Sequence, residues 1–123
     1  MATIKLLDTN IVLYYLGGRL SQPLPDADYC ISFITEMELF SCSSLGDSAK
    51  KQIENFLDEL TIIDLESNIK MLAIALRKEY SLKLPDAIIA STALTLKADL
   101  LSNDKKFQCI PHLVCESLLL KSD

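Results

Sequence analysis

An α/β domain with a mainly parallel central sheet is the fold this sequence predicts, and three observations predict it. Short apolar runs alternate with longer stretches of helical period from one end of the chain to the other. Its 123 residues are of single-domain size, enough to bury one core, and read as one domain over residues 1–123. No internal repeat or low-complexity tract interrupts the alternation.

Taken in order, Thr3 to Leu7 reads as a short buried strand, apolar on both faces. Asn10 to Leu16 is helical and stops at Gly17-Gly18, a C-terminal cap. Arg19 to Asp28 carries Pro23 and Pro25 and is a loop. Tyr29 to Phe33 forms the second strand, and Ile34 to Cys42 a helix that breaks over Ser43 to Asp47. Ile53, Phe56, Leu57 and Leu60 fall at i, i+3, i+4, i+7, which marks one face of a helix over Ser48 to Leu60. After a strand over Thr61 to Leu65, the same pattern returns in Ile69, Leu72, Ala73, Leu76 and Tyr80. Pro85 suits the first turn of a helix reaching about Lys97, where Ala87, Ala90, Ser91 and Ala93 permit close packing. Asp99 to Ser102 is the fourth strand, and Leu113 to Cys115 a short fifth.

Composition excludes some functions. Half the residues are hydrophobic and the mean hydropathy is +0.25. No uncharged apolar run approaches the roughly 18 residues of a membrane helix, so the surplus points to a partner interface. The first residues, Met1-Ala2-Thr3-Ile4-Lys5, lack the pattern of a signal peptide, which places the chain in the cytoplasm. Cys30, Cys42, Cys109 and Cys115 have no C-x-x-C spacing, and the expectation is buried free thiols. His112, just after Pro111, reads as a loop or packing residue. The net charge of −5 sits poorly with a nucleic-acid partner until four acids are set aside as a site whose charge a cation offsets.

Those acids are Asp8, Glu38, Asp86 and Asp104. Asp8 and Asp104 stand at predicted strand ends, where ligands bind in open α/β sheets, and Asp86 begins a helix leading back to the sheet. Each aspartate has a plain alternative as a helix N-cap. Glu38, inside a helix, has no such reading, although spacing alone does not choose between it and Glu36. Gathered into one cleft, four carboxylates repel one another, and a divalent cation relieves the repulsion.

The motifs Leu6-Leu7-Asp8-Thr9-Asn10, Ser32-x-x-Thr35-x-x-Glu38-Leu39, Leu84-Pro85-Asp86-Ala87-Ile88-Ile89-Ala90 and Leu101-Ser102-Asn103-Asp104-x-x-Phe107 lie in an order that resembles the PIN-domain nucleases. Order and spacing are most like the VapC-type toxins of toxin–antitoxin pairs, over essentially the whole chain. The resemblance implies a three-layer sandwich with helices on both faces of the sheet, and it selects Glu38 over Glu36. It implies an endoribonuclease using Mg²⁺, with Mn²⁺ as a substitute. Asp8 and Asp86 would be the main ligands, and Glu38 and Asp104 would complete the cage directly or through water. The metal would lower the pKa of a bound water and neutralise phosphate charge.

Thr9, Asn10 and Ser102 are then candidate donors that orient the carboxylates. Many relatives carry a further acid just before the phenylalanine; here Lys105-Lys106 fill that stretch, so one Mg²⁺ is expected rather than two. Lys83, Lys105 and Lys106 have a claim as RNA-backbone contacts, against a default reading as solvated charges. A haloacid-type phosphatase would need an aspartate where Asn10 stands, and a receiver domain an acidic pair near the first strand, where Lys5-Leu6-Leu7 precede Asp8.

The implied partners are RNA, an antitoxin protein and a second copy of the chain in a homodimer. The helices Ile34 to Cys42 and Ser48 to Leu60, with the turn 43–46, are the candidate antitoxin face, carrying exposed-looking Phe40 and Leu45. Two alternatives stay open: a housekeeping PIN nuclease without an antitoxin, and an inert PIN domain used as a binding module.

Overall fold

Strands β1 (Ile4–Leu7), β2 (Asp28–Ser32), β3 (Thr61–Ile63), β4 (Asp99–Leu101) and β5 (Cys115–Glu116) form one sheet in the order β3-β2-β1-β4-β5. Every pairing is parallel. The structure is a computed structural model that describes residues 3–42 and 44–122. Met1 and Ala2 of the N-terminal reading, and Ser43 of the predicted turn, lie outside those residues. The connections carry α1 (Thr9–Leu16), α2 (Phe33–Phe40), α3 (Asp47–Leu57), α4 (Ser67–Tyr80) and α5 (Leu84–Leu96). A 3₁₀ turn over Lys105–Cys109 lies between β4 and β5.

Side chains alternate across a strand, and this alternation builds two cores. Leu6, Cys30 and Leu100 face a core shared with Ala73, Leu76, Ile89 and Phe107. Their neighbours Leu7, Ile31 and Leu101 face the other way, into a core with Ile11, Val12, Leu39, Ile53 and Leu57. Helices α4 and α5 therefore cover one face, while α1 and α3, with Leu39 of α2, cover the other. That is the expected three-layer sandwich.

Helix α5 is buried continuously from Ala87 to Ala93. Its small residues admit α4 closely, and Ser91 Oγ donates to the Ile69 carbonyl of α4 at 2.6 Å. A helix apolar on all sides belongs in the interior, and this one fixes Asp86, in its first turn, against the sheet. At the end of α1, Gly18 takes φ 69°, a left-handed conformation that glycine adopts without strain.

Several expectations shift. Helix α1 begins at Thr9 rather than Asn10, because Asp8 caps it. Strand β3 ends at Ile63, and Leu65, exposed, has left the sheet. The fifth strand is Cys115–Glu116, not 113–115. Strand β1 buries apolar residues on both faces, Leu6 on one and Leu7 on the other, but it also buries a charge: Lys5 Nζ lies 2.7 Å from Glu116 Oε1 and 3.4 Å from Asp99 Oδ2. Those partners, Glu116 first, raise its pKa and keep it charged.

All four cysteines are free, but only Cys30 is buried; Cys42 and Cys109 are exposed, against the expectation of buried thiols. Burial pushes the Cys30 thiol up to about 11, which makes it inert. His112 lies exposed in a turn at φ 67°. Among the described residues no helix is long and apolar enough to cross a membrane.

Candidate active site

The parallel register brings β1 and β4 side by side, with Leu7 opposite Leu101. The residues leaving their carboxyl ends therefore emerge together. Asp8 N–H donates to the Leu101 carbonyl at 3.0 Å, and Ser102 Oγ donates to Asp8 Oδ2 at 2.7 Å. Strand β2 ends in the same direction at Ser32, whose Oγ accepts from Ile34 N–H and starts α2. This is the edge where open α/β sheets bind ligands. A cleft of about 530 Å³ opens at the opposite edge, lined by the first residues of three strands, Ile4, Asp28 and Thr61, and none of the four acids lines it.

One hydrogen-bonded chain links all four predicted acids. On α2, Thr35 and Glu38 are three residues apart and share a face. Thr9 Oγ1 donates to Glu38 Oε1 at 2.6 Å and lies 3.0 Å from the hydroxyl of fully buried Thr35. A hydroxyl has one proton, so Thr9 directs it chiefly to Glu38, the shorter contact, with the Thr35 hydroxyl beside it as a second acceptor. Thr9 N–H donates to Asp8 Oδ1 at 2.8 Å. From Asp8 the path crosses Ser102 Oγ, which also accepts from Asp104 N–H at 3.1 Å. It ends on Lys106 Nζ, 2.8 Å from Asp86 Oδ2 and 2.9 Å from Asp104 Oδ2.

The capping alternative is correct for two of the acids and does not compete with the site. Asp8 caps α1 with Oδ1 and takes Ser102 on Oδ2. Asp104 accepts from Lys106 N–H on Oδ1 and meets the Lys106 ammonium with Oδ2. A carboxylate has two oxygens, and each aspartate divides them between helix and cleft. Asp86 is no cap; it lies inside the first turn of α5, whose N-cap is Lys83.

The electrostatics distinguish the acids. Burial raises the Asp8 pKa, the charges of Asp86 and Asp104 raise it further, and donation from Ser102 and Thr9 opposes them. Burial also pushes Asp104 upward, but the Lys106 ammonium and N–H prevail and hold its carboxyl below the usual range. Hydrogen bonding to Asp86, then to Asp104, raises the Lys106 pKa. Lys106 is thus a permanent cation inside the acidic group. Expected as an RNA-backbone contact, it has its ammonium engaged by Asp86 and Asp104 while its side chain stays partly exposed. Lys83 and Lys105 are exposed, as that role requires.

Two of the three predicted orienting residues, Thr9 and Ser102, touch the carboxylates. Asn10 does not; it is exposed on α1 and gives them no hydrogen bond. Sequence reasoning named Thr35 and Lys106 but missed their contacts with the site, Thr35 beside Thr9 and Lys106 on two of the acids. The Thr35/Glu38 spacing would have revealed the first, whereas no periodic signal marks a 3₁₀ turn. Because Ser102 Oγ serves two groups at once, Ser102→Ala should cost about 1–3 kcal/mol, measured by urea denaturation at neutral pH. Ser102→Thr, which keeps the hydroxyl, should restore part of the loss.

Oxygen-only, carboxylate-rich donors suit a hard divalent cation such as Mg²⁺ or Mn²⁺. Among the described residues no three acidic, cysteine or histidine side chains converge in ion-holding geometry. The Lys106 ammonium is the cation that stands between Asp86 and Asp104. The donor set fits a metal that takes that place.

The sequence model described as PIN domain matches residues 5–113. A comparison with curated proteins gives no match. Among solved structures, a chain of a toxin–antitoxin complex from Klebsiella pneumoniae is 33% identical, with a TM-score of 0.75 over 89% of this chain and 95% of that one. A chain of VapBC2 from Rickettsia felis, bound to a promoter DNA fragment, is 27% identical, with a TM-score of 0.79 over 94% of this chain and 99% of that one. A chain of VapBC-1 from nontypeable Haemophilus influenzae is 28% identical, with a TM-score of 0.72 over 94% and 98% of the two chains.

Proposed function

This chain belongs to the PIN-domain family, and from that premise we propose that it is a metal-dependent endoribonuclease acting as the toxin of a toxin–antitoxin pair. The observation that carries the enzymatic part is the continuous chain from Glu38 through Thr9, Asp8, Ser102 and Asp104 to Lys106 and Asp86. Four acids tied to one another at the carboxyl edge of a parallel sheet are more than separate helix caps. The full acidic set speaks against an inert binding module.

In this reading Asp8, Asp86 and Asp104 hold Mg²⁺, or Mn²⁺ in its place. The bound ion supplies Lewis acidity at the scissile phosphate and offsets its charge. Ser102 and Thr9 keep the Asp8 oxygens aimed, and fixed aim is what a pre-organised site needs. Glu38, exposed and hydrogen-bonded by Thr9, would accept a proton from an attacking water. In-line attack would leave a 5′-phosphate and a 3′-hydroxyl. Lys83 and Lys105 lie exposed near the acids in sequence and would meet the RNA backbone.

The toxin role draws on likeness to chains of toxin–antitoxin complexes. A cytoplasmic location and a homodimer go with it. The expected antitoxin anchors change, since Phe40 and Leu45 are half-buried and packed on the core. Exposed Met37, one residue before Glu38, remains as an apolar contact on α2.

The test has two arms. The purified chain should cut single-stranded or loop RNA with Mg²⁺ or Mn²⁺ and stop with EDTA. Co-expression with the product of the adjacent gene should give a stable complex without ribonuclease activity. Cleavage by a monomer that binds no neighbour and does not slow growth on induction would favour the housekeeping reading.

A further inference from the structure

We propose that Lys106 is a tethered competitor for the divalent cation: its ammonium occupies the position between Asp86 and Asp104, so the chain sets its own metal requirement. The inference rests on the metal-dependent reading above and adds a regulator to that site.

Three observations converge on it. Lys106 Nζ meets one oxygen from each of two elements, Asp86 of α5 at 2.8 Å and Asp104 of the 3₁₀ turn at 2.9 Å. It therefore bridges carboxylates that would otherwise repel each other. The backbone beneath it is fixed, because Lys106 N–H donates to Asp104 Oδ1 at 3.1 Å and the adjacent Phe107 is fully buried. The ammonium is therefore presented to the cleft by the fold. Finally, the Lys106 side chain is 37% exposed, so it has a way out to solvent.

A divalent ion seated on the same two oxygens would lie at contact distance from the ammonium, and like charges at that distance repel. In this proposal metal entry moves Lys106, and the cost of breaking both contacts is subtracted from the metal's affinity. Partial exposure keeps that cost modest and the exchange reversible. A lysine that only screens the acids differs on one point: it stays in place when the metal binds, whereas a displaced Lys106 is released to solvent. Lys106 is a positioning residue in this proposal, acting on Asp86 and Asp104 rather than on RNA.

The experiment is a Mn²⁺ titration of the full chain, followed by the electron paramagnetic resonance of free Mn²⁺. Lys106→Gln should bind Mn²⁺ several-fold to about tenfold more tightly than wild type. It should also melt lower in EDTA and gain more from added Mn²⁺. Lys106→Arg, which keeps the charge, should retain the weaker wild-type affinity. Equal Mn²⁺ affinity in wild type and Lys106→Gln overturns the competitor while leaving the metal reading intact. Failure of all three proteins to bind Mn²⁺ overturns the metal reading, and this proposal with it. A measurement on wild type alone guards against misfolded variants: amine acylation read by mass spectrometry should increase at Lys106 when Mn²⁺ is added. Labelling unchanged by saturating Mn²⁺ also overturns the proposal.

Discussion

Asp8→Asn and Asp86→Asn should each reduce Mg²⁺-dependent RNA cleavage by about a hundredfold or more, the usual cost of losing a group aimed at transition-state charge. Both substitutions remove charge and almost no volume. In Asp8→Asn, the side-chain carbonyl can still accept from Thr9 N–H, and the amide can donate to Ser102 Oγ, which has lone pairs to spare. The fold should therefore persist. Stability without metal should rise in Asp8→Asn, because a buried charge beside two other acids is removed. The pH dependence follows from the direction of the Asp8 shift. Its folded pKa lies above its unfolded value, so the ionised carboxylate costs stability at pH above the folded pKa, and protonation relieves that cost as pH falls through it. The gain from asparagine should accordingly be largest at neutral pH and shrink on acidification. Cleavage assays with Mg²⁺ and melting curves in EDTA across that range provide the check. Wild-type cleavage by both variants would remove these residues from the site.

Periodicity carried most of the fold. Leu6 and Leu7, Cys30 and Ile31, and Leu100 and Leu101 are adjacent apolar pairs, and a strand buried on both faces requires such pairs. Asp8, Asp86 and Asp104 were legible because each stands where an element begins or ends, whereas Glu38, inside α2, was legible only through the order of motifs that matches a known family. Lys5 was not legible. Its burial depends on Asp99 and Glu116, which the chain places 94 and 111 residues away. Lys106 was half legible: its departure from the family pattern was visible, but its direction was not. An N–H capped two residues back on Asp104 turns it inward, and nothing in the spacing of charges encodes that turn. Phe40 and Leu45 misled for the opposite reason. Phe40, in the last turn of α2, and Leu45, in the irregular segment before α3, both fold back onto the core, and the second is beyond any helical wheel.

Phe107→Ala should destabilise the protein by about 3–5 kcal/mol, as a large cavity in a packed core requires. Against a domain stability of about 5–15 kcal/mol, that is a substantial share of the whole. Phe107 is among the largest fully buried side chains and belongs to the core under β1 and β4. It is also the one buried residue of the 3₁₀ turn, whose other positions face outward or into the cleft. A 3₁₀ turn has poorer hydrogen-bond geometry than an α-helix, so the buried ring is its chief anchor. Truncation should therefore act twice. Urea denaturation should show the stability loss, and cleavage should fall even at a temperature where the variant remains folded, because Asp104 and Lys106 lose their fixed placement together. Phe107→Leu, which keeps most of the apolar volume, should retain more of both properties. A folded Phe107→Ala protein with wild-type cleavage would mean that the turn is held by something other than its ring, and that the link from core packing to the acidic cleft is wrong.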